Sequence, residues 1–195
     1  MSYALYIHGM GSGAKSGTRS SLGHYLQGYE WLCPELPTDP QQALLILRDY
    51  VSVFQPDLVV GTSLGGLYTV YLEAPTKVAV NPTWNIDTTL RRMGYGKHVY
   101  HCEREDGATH FTVDEPLVQA YRAFRDGTAP VPSGNQLALF STDDEIVGRL
   151  ASKQNAAQMQ ALGYRVEWSS RFGHRLNQAA AKQLASMLLS MQTHY

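Results

Sequence analysis

Three side chains with the chemistry of acyl transfer stand along this chain in the order Ser63, Asp144, His174. A serine hydroxyl is a poor nucleophile until a hydrogen-bonded imidazole takes its proton, and the imidazole needs a carboxylate to hold its tautomer and stabilise its charge. Ser63 lies in Gly61-Thr62-Ser63-Leu64-Gly65, after the apolar run Leu58-Val59-Val60 and before a helical pattern from Leu64 to Glu73. Near-absent side chains on both flanks are what a sharp strand-to-helix turn requires, because its backbone is strained and neighbouring main chain passes closely. The G-x-S-x-G spacing also arises by chance. Strand before and helix after distinguish it from a glycine-rich strand end.

The acid and the base fall in equivalent places. Gln136 to Ser141 reads as a buried strand running into Thr142-Asp143-Asp144-Glu145-Ile146-Val147, and Tyr164 to Trp168 alternates as a strand that leads to Phe172-Gly173-His174. All three residues therefore sit at carboxyl ends of predicted strands, where the reaction sites of open α/β sheets lie. Asp144 is the preferred acid. Ile146 and Val147 can anchor its loop in apolar surface, while Asp143 occupies a turn position and Glu145 reads as a solvated charge. Among the seven histidines, His174 alone lies between the last predicted strand and the last helix.

Six strands are expected to position these groups: Tyr3 to Ile7, Glu30 to Cys33, Asp57 to Val60, Lys77 to Val80, Gln136 to Phe140 and Tyr164 to Trp168. Helical patterns run from Gln41 to Phe54, Arg149 to Leu162 and Leu176 to Met191. Alternating strand and helix predicts an α/β fold with a mainly parallel sheet covered on both faces. Residues 84–134 have few strand signals and are too long for a structureless loop, so they read as a small helical cap inserted into one domain spanning 1–195.

The first strand ends in His8-Gly9-Met10-Gly11-Ser12-Gly13. In the acyl-transfer reading, the backbone N–H groups of Met10 and Leu64 face the developing oxyanion, and His8 is a structural neighbour. The same stretch fits G-x-G-x-x-A, a dinucleotide fingerprint, and Gly9 to Ser16 approximates a phosphate loop in which Ala14 replaces the expected glycine. Neither nucleotide reading accounts for Ser63, Asp144 and His174 together.

Composition narrows the partners. The chain has 195 residues, 44% of them hydrophobic, and a net charge of -1. It is long enough to bury roughly 70% of its unfolded surface, and its charge argues against nucleic acid or an anionic membrane as a partner. The amino terminus enters a strand without an export signal and no apolar run approaches a membrane span, which predicts a cytoplasmic protein. Cys33 and Cys102 read as reduced thiols. His98, His101, Cys102, Glu103 and His110 resemble a metal cluster, but they lack a third ligand at regular spacing, so no metal is expected. His24 and His194 read as surface residues.

His8-Gly9-Met10, Gly61-Thr62-Ser63-Leu64-Gly65-Gly66, Asn81-Pro82, Asp144-Glu145-Ile146 and Gly173-His174 resemble the α/β-hydrolase superfamily and, more narrowly, the YqiA-like small bacterial esterases. That resemblance implies a three-layer α/β-hydrolase sandwich and a carboxylesterase with Ser63, Asp144 and His174 as nucleophile, acid and base. No cofactor is implied. The substrate implied is a small-molecule ester with a small to medium acyl group, a thioester being possible. Trp84, close after Asn81-Pro82, is the best candidate to line an acyl pocket; Tyr95, Tyr100, Phe111 and Tyr121 read mainly as packing. A hydrolase-fold binding protein without turnover and a nucleotide-dependent enzyme using the Gly9–Ser16 loop are the alternatives. Oligomeric state has no sequence signature here.

Overall fold

The computed structural model describes residues 2–192; His194 lies outside them. Six parallel strands form the central sheet: β1 (Ser2–Ile7), β2 (Tyr29–Leu32), β3 (Leu58–Thr62), β4 (Thr76–Val80), β7 (Asn135–Ser141) and β8 (Arg165–Ser169). They lie in the order β2-β1-β3-β4-β7-β8. The inner strands are apolar almost throughout because helices cover both faces of the sheet.

Side-chain alternation divides the core into two layers. Leu5, Ile7, Val59, Ala79 and Phe140 pack on one face with residues of α2 (Pro40–Phe54), α3 (Leu64–Tyr68), α5 (Glu115–Gly127) and α6 (Arg149–Ala161). Ala4, Tyr6, Val60, Val80 and Leu139 pack on the other with Leu22 of α1 (Gly17–Tyr25) and Leu184 of α7 (Gln178–Gln192). The result is an α/β-hydrolase-like three-layer sandwich. Helix starts follow local chemistry: Asp39 accepts the Gln42 N–H at 2.8 Å ahead of Pro40, and Asp114 accepts that of Leu117 at 2.9 Å. None of the described helices is long and apolar enough to cross a membrane.

Three elements differ from expectation. Helix α1 had no legible apolar period, since Leu22 is its buried residue and the remainder is polar or glycine. The helix after Ser63 ends at Tyr68 and tightens into a 3-10 turn over Thr69–Tyr71. Residues 84–134 are not wholly helical: between α4 (Ile86–Met93) and α5 they form an antiparallel pair, β5 (Gly96–Val99) with β6 (His110–Val113). Each strand is four residues long, too short for its alternation to stand out.

The turn joining β5 and β6 lies against the loop after β1. His101 donates its N–H to the Gly11 carbonyl at 2.7 Å, and Arg104 reaches the carbonyls of Ser12 and Leu36, each at 3.2 Å. Arg104 also pairs with Glu35 at 2.8 Å and lies 4.4 Å from the Tyr100 ring centre. Its guanidinium is almost wholly buried, and its charge is met by the carboxylates of Glu35 and of Asp106 on the same turn.

Candidate active site

Ser63 sits between β3 and α3 with φ 55° and ψ −116°, a conformation that side-chain-bearing residues rarely adopt. Its neighbours make the turn possible. A Cβ on Gly61 would stand 2.0 Å from the Gly65 carbonyl oxygen, and one on Gly65 would stand 2.0 Å from that of Ile7. The turn is also bonded to the adjacent strand: Ser63 donates its N–H to Val80 at 2.9 Å, and its carbonyl accepts the Thr83 N–H at 3.1 Å.

Asp144 and His174 meet across the ends of β7 and β8. The ring Nδ1 of His174 lies 3.0 Å and 2.9 Å from the two carboxylate oxygens of Asp144. Asp144 Oδ1 also accepts the N–H groups of Ile146 at 3.0 Å and Val147 at 2.8 Å. Burial by itself would raise this carboxyl's pKa. The bonds and charge of His174, with the two amides, outweigh that and hold it below the ordinary value. Asp143 points elsewhere: it is exposed and accepts from the Thr142 hydroxyl at 2.9 Å.

Two details of this loop depart from the sequence reading. Val147 is buried as an anchor, but Ile146 is 56% exposed, and the two residues serve Asp144 through their backbone amides. Glu145 is exposed but is not merely solvated, because its carboxylate accepts the His174 N–H at 2.9 Å. No side-chain pattern in sequence encodes either amide bond.

The hydrogen bonds thus join Asp144 to His174, and Ser63 to Thr83, whose Oγ1 lies 3.2 Å from Ser63 Oγ. Among the described residues no hydrogen bond joins Ser63 to His174. Thr83 was not singled out in the sequence; its place just after Asn81-Pro82 was the available signal.

Met10 and Leu64 flank the serine from two directions. Gly9 brings the loop after β1 so close that a Cβ there would lie 3.2 Å from Ser63 Cβ, and Leu64 opens α3. A cavity of about 10 Å³ adjoins both residues and is lined also by Leu36, Tyr68, Tyr100 and Arg104. That is room for one water-sized group. His8 borders it, buried, with Nδ1 3.0 Å from the Gly9 carbonyl and Nε2 without a hydrogen-bond partner among the described residues. Burial chiefly lowers the pKa of His8 and favours the neutral ring.

Trp84 is half-buried and packs against the core layer that contains α3 and α5. Of the other aromatic candidates, Tyr121 and Phe111 are core residues, and Tyr95 is 57% exposed. The histidines of residues 98–110 have separate engagements. His98 stacks on Phe111 and bonds the Gly94 carbonyl at 2.8 Å, while His110 bonds Thr109 at 2.9 Å. Among the described residues no three His, Cys, Asp or Glu side chains gather as a metal site would need.

Solved structures share this fold across nearly the whole chain. Mouse alpha/beta hydrolase domain-containing protein 10 matches with a TM-score of 0.69 at 12% identity, covering 97% of this chain and 89% of that one. A monoacylglycerol lipase from Paleococcus ferrophilus matches at 0.69 and 15% identity, covering 96% and 94%. The esterase domain of a Rhodothermus marinus protein matches at 0.60 and 17%, covering 100% and 87%. At those identities the likeness establishes the fold. With residues 3–188 matching its pattern, the chain belongs to the uncharacterised protein family UPF0227.

Proposed function

We propose that the protein is a serine carboxylesterase acting on small to medium acyl esters, with thioesters as a further substrate class. The observation that carries this reading is the paired Asp144–His174 contact at the sheet edge where Ser63 occupies its strained turn. Two of the proteins with this fold bear the names of ester hydrolases, which supports the reading.

In the proposed mechanism the Ser63 hydroxyl leaves Thr83 and donates to His174 Nε2. Asp144 holds Nδ1–H, which leaves Nε2 free to accept. As Ser63 Oγ bonds the acyl carbon, its proton passes to His174 and negative charge gathers on the former carbonyl oxygen. The N–H groups of Met10 and Leu64 take that charge, each such donor being worth about 2.7–4 kcal/mol in the transition state. The C–O bond to the alcohol then breaks and His174 protonates the leaving oxygen. Water, deprotonated by His174, attacks the acyl group on Ser63, and collapse releases the acid and restores the serine. Residues 84–134 serve as the cap over this edge.

A nucleotide reading of Gly9–Ser16 is disfavoured by Glu35. Its carboxylate already accepts the Ala14 N–H at 2.8 Å, inside the loop that would have to cradle phosphate. The binding-protein reading differs from the esterase reading in turnover. Hydrolysis of p-nitrophenyl acetate or butyrate and labelling by a fluorophosphonate probe are expected of the native chain and not of Ser63→Ala, which should stay folded. Undiminished turnover by that variant would refute the assignment.

A further inference from the structure

Asn81 ties the candidate base to the centre of the sheet, and we infer that it is a positioning residue for His174. The inference rests on the esterase reading for its kinetic consequence, but its geometric content is independent of that reading.

Asn81 follows β4 with φ 42°, in the left-handed region that asparagine tolerates better than most residues, and it is 2% exposed. Its own N–H is held by the Leu139 carbonyl of β7 at 2.9 Å. The side-chain amide then meets three main-chain groups. Oδ1 accepts the Ser141 N–H at 2.7 Å, and Nδ2 donates to the carbonyls of Gly173 at 3.0 Å and His174 at 2.9 Å. One acceptor and two donors are what a carboxamide offers. A carboxylate in its place would set a negative oxygen against two carbonyls.

These partners lie at the hinges of the site. Ser141 ends β7, three residues before Asp144; its hydroxyl donates to the Phe172 carbonyl and accepts the Asp143 N–H at 3.0 Å. One buried amide therefore sets both the exit of the acid-bearing strand and the main chain of the base. Asp144 orients the imidazole, but it cannot by itself fix where the His174 backbone stands. Glu145 holds the N–H of that residue and Asn81 holds its carbonyl, so the ring pivots about a peptide gripped at both ends.

Two substitutions test this. Asn81→Gly removes the three side-chain bonds while keeping a residue at ease with φ 42°. Asn81→Asp keeps the shape and the Ser141 bond but loses both donors. Since a misplacement of about 1 Å can lower a rate by about 100-fold, each variant is expected to lose about 10- to 100-fold in kcat toward p-nitrophenyl acetate. KM should stay within about threefold, because no substrate contact is removed. The downfield proton resonance of His174 Nδ1–H should weaken or broaden by exchange, while thermal unfolding remains cooperative. If Asn81→Gly does not fold, Asn81→Asp carries the test. A folded variant with kcat within about twofold of native and an unchanged resonance would overturn the inference. A native chain with neither ester turnover nor probe labelling would defeat the esterase reading, and the resonance would still decide the role of Asn81.

Discussion

The carboxylate of Glu145 accepts the main-chain N–H of His174 at 2.9 Å, next to the pair that Asp144 makes with the same residue's ring. The loop after β7 thus grips the loop after β8 through adjacent side chains. Gly173 makes room for this contact, since a Cβ there would lie 2.4 Å from Glu145 Oε2. A charge-assisted hydrogen bond is worth about 1.5–3 kcal/mol, so Glu145→Ala is expected to lower kcat/KM by about tenfold. Glu145→Gln keeps an acceptor oxygen and should recover most of the rate. Steady-state kinetics on both variants check this, and equal losses would remove the hydrogen bond as the cause.

Replacing the two neighbouring aspartates should give very different results. Asp144→Asn disrupts the partner of His174 Nδ1 and favours the wrong tautomer, for which the expected loss in kcat is about 10⁴-fold. Asp143→Asn alters an exposed turn and should stay within about threefold of native. The reverse order in p-nitrophenyl butyrate assays would reassign the acid.

Gly65→Ala is expected to prevent accumulation of folded protein. The added Cβ would stand 2.0 Å from the Ile7 carbonyl, and that oxygen belongs to a central strand with no room to retreat. Soluble yield and thermal unfolding measure the effect. A variant melting within about 2 °C of native would show that α3 can shift away from β1.

Lys77 offers a pH-dependent test of packing. It is fully buried on β4, where its ammonium donates to the Val131 carbonyl and lies 5.8 Å from the Tyr164 ring centre. Burial pulls its pKa from 10.5 down to about 8. Between those values the unfolded chain holds a proton that the folded chain lacks, so this group's contribution to stability rises with pH across that window. Below it both states are charged and the full desolvation penalty applies. Lys77→Met removes the penalty and is expected to stabilise the fold at pH 7 by about 1–4 kcal/mol. Denaturant melts should show that advantage shrinking toward pH 10; a constant advantage would assign it to another cause.

The six sheet strands and the places of Ser63, Asp144 and His174 were legible because apolar runs and loop residues follow directly from a sheet covered on both faces. Gly61 and Gly65 could be read for the same reason, since close main-chain approach leaves glycine as its signature. The pair β5–β6 was not legible: four-residue strands such as Gly96–Val99, mostly exposed, carry little apolar pattern. Nor were the contacts of Glu145, Thr83 and Asn81. Each is a polar side chain meeting a partner brought near by the chain path, and no spacing rule in sequence reports that meeting.

Arg104 is lodged between the β5–β6 turn and the carbonyls of Ser12 and Leu36, with Glu35 and Asp106 neutralising it. Lifting the turn would carry Asp106 along with the cation but leave Glu35 and the two carbonyls without their donor. The turn is thereby tied on both sides of its path to the segment that bears Met10, so the register of that proposed oxyanion donor is set by a part of the chain ninety residues away.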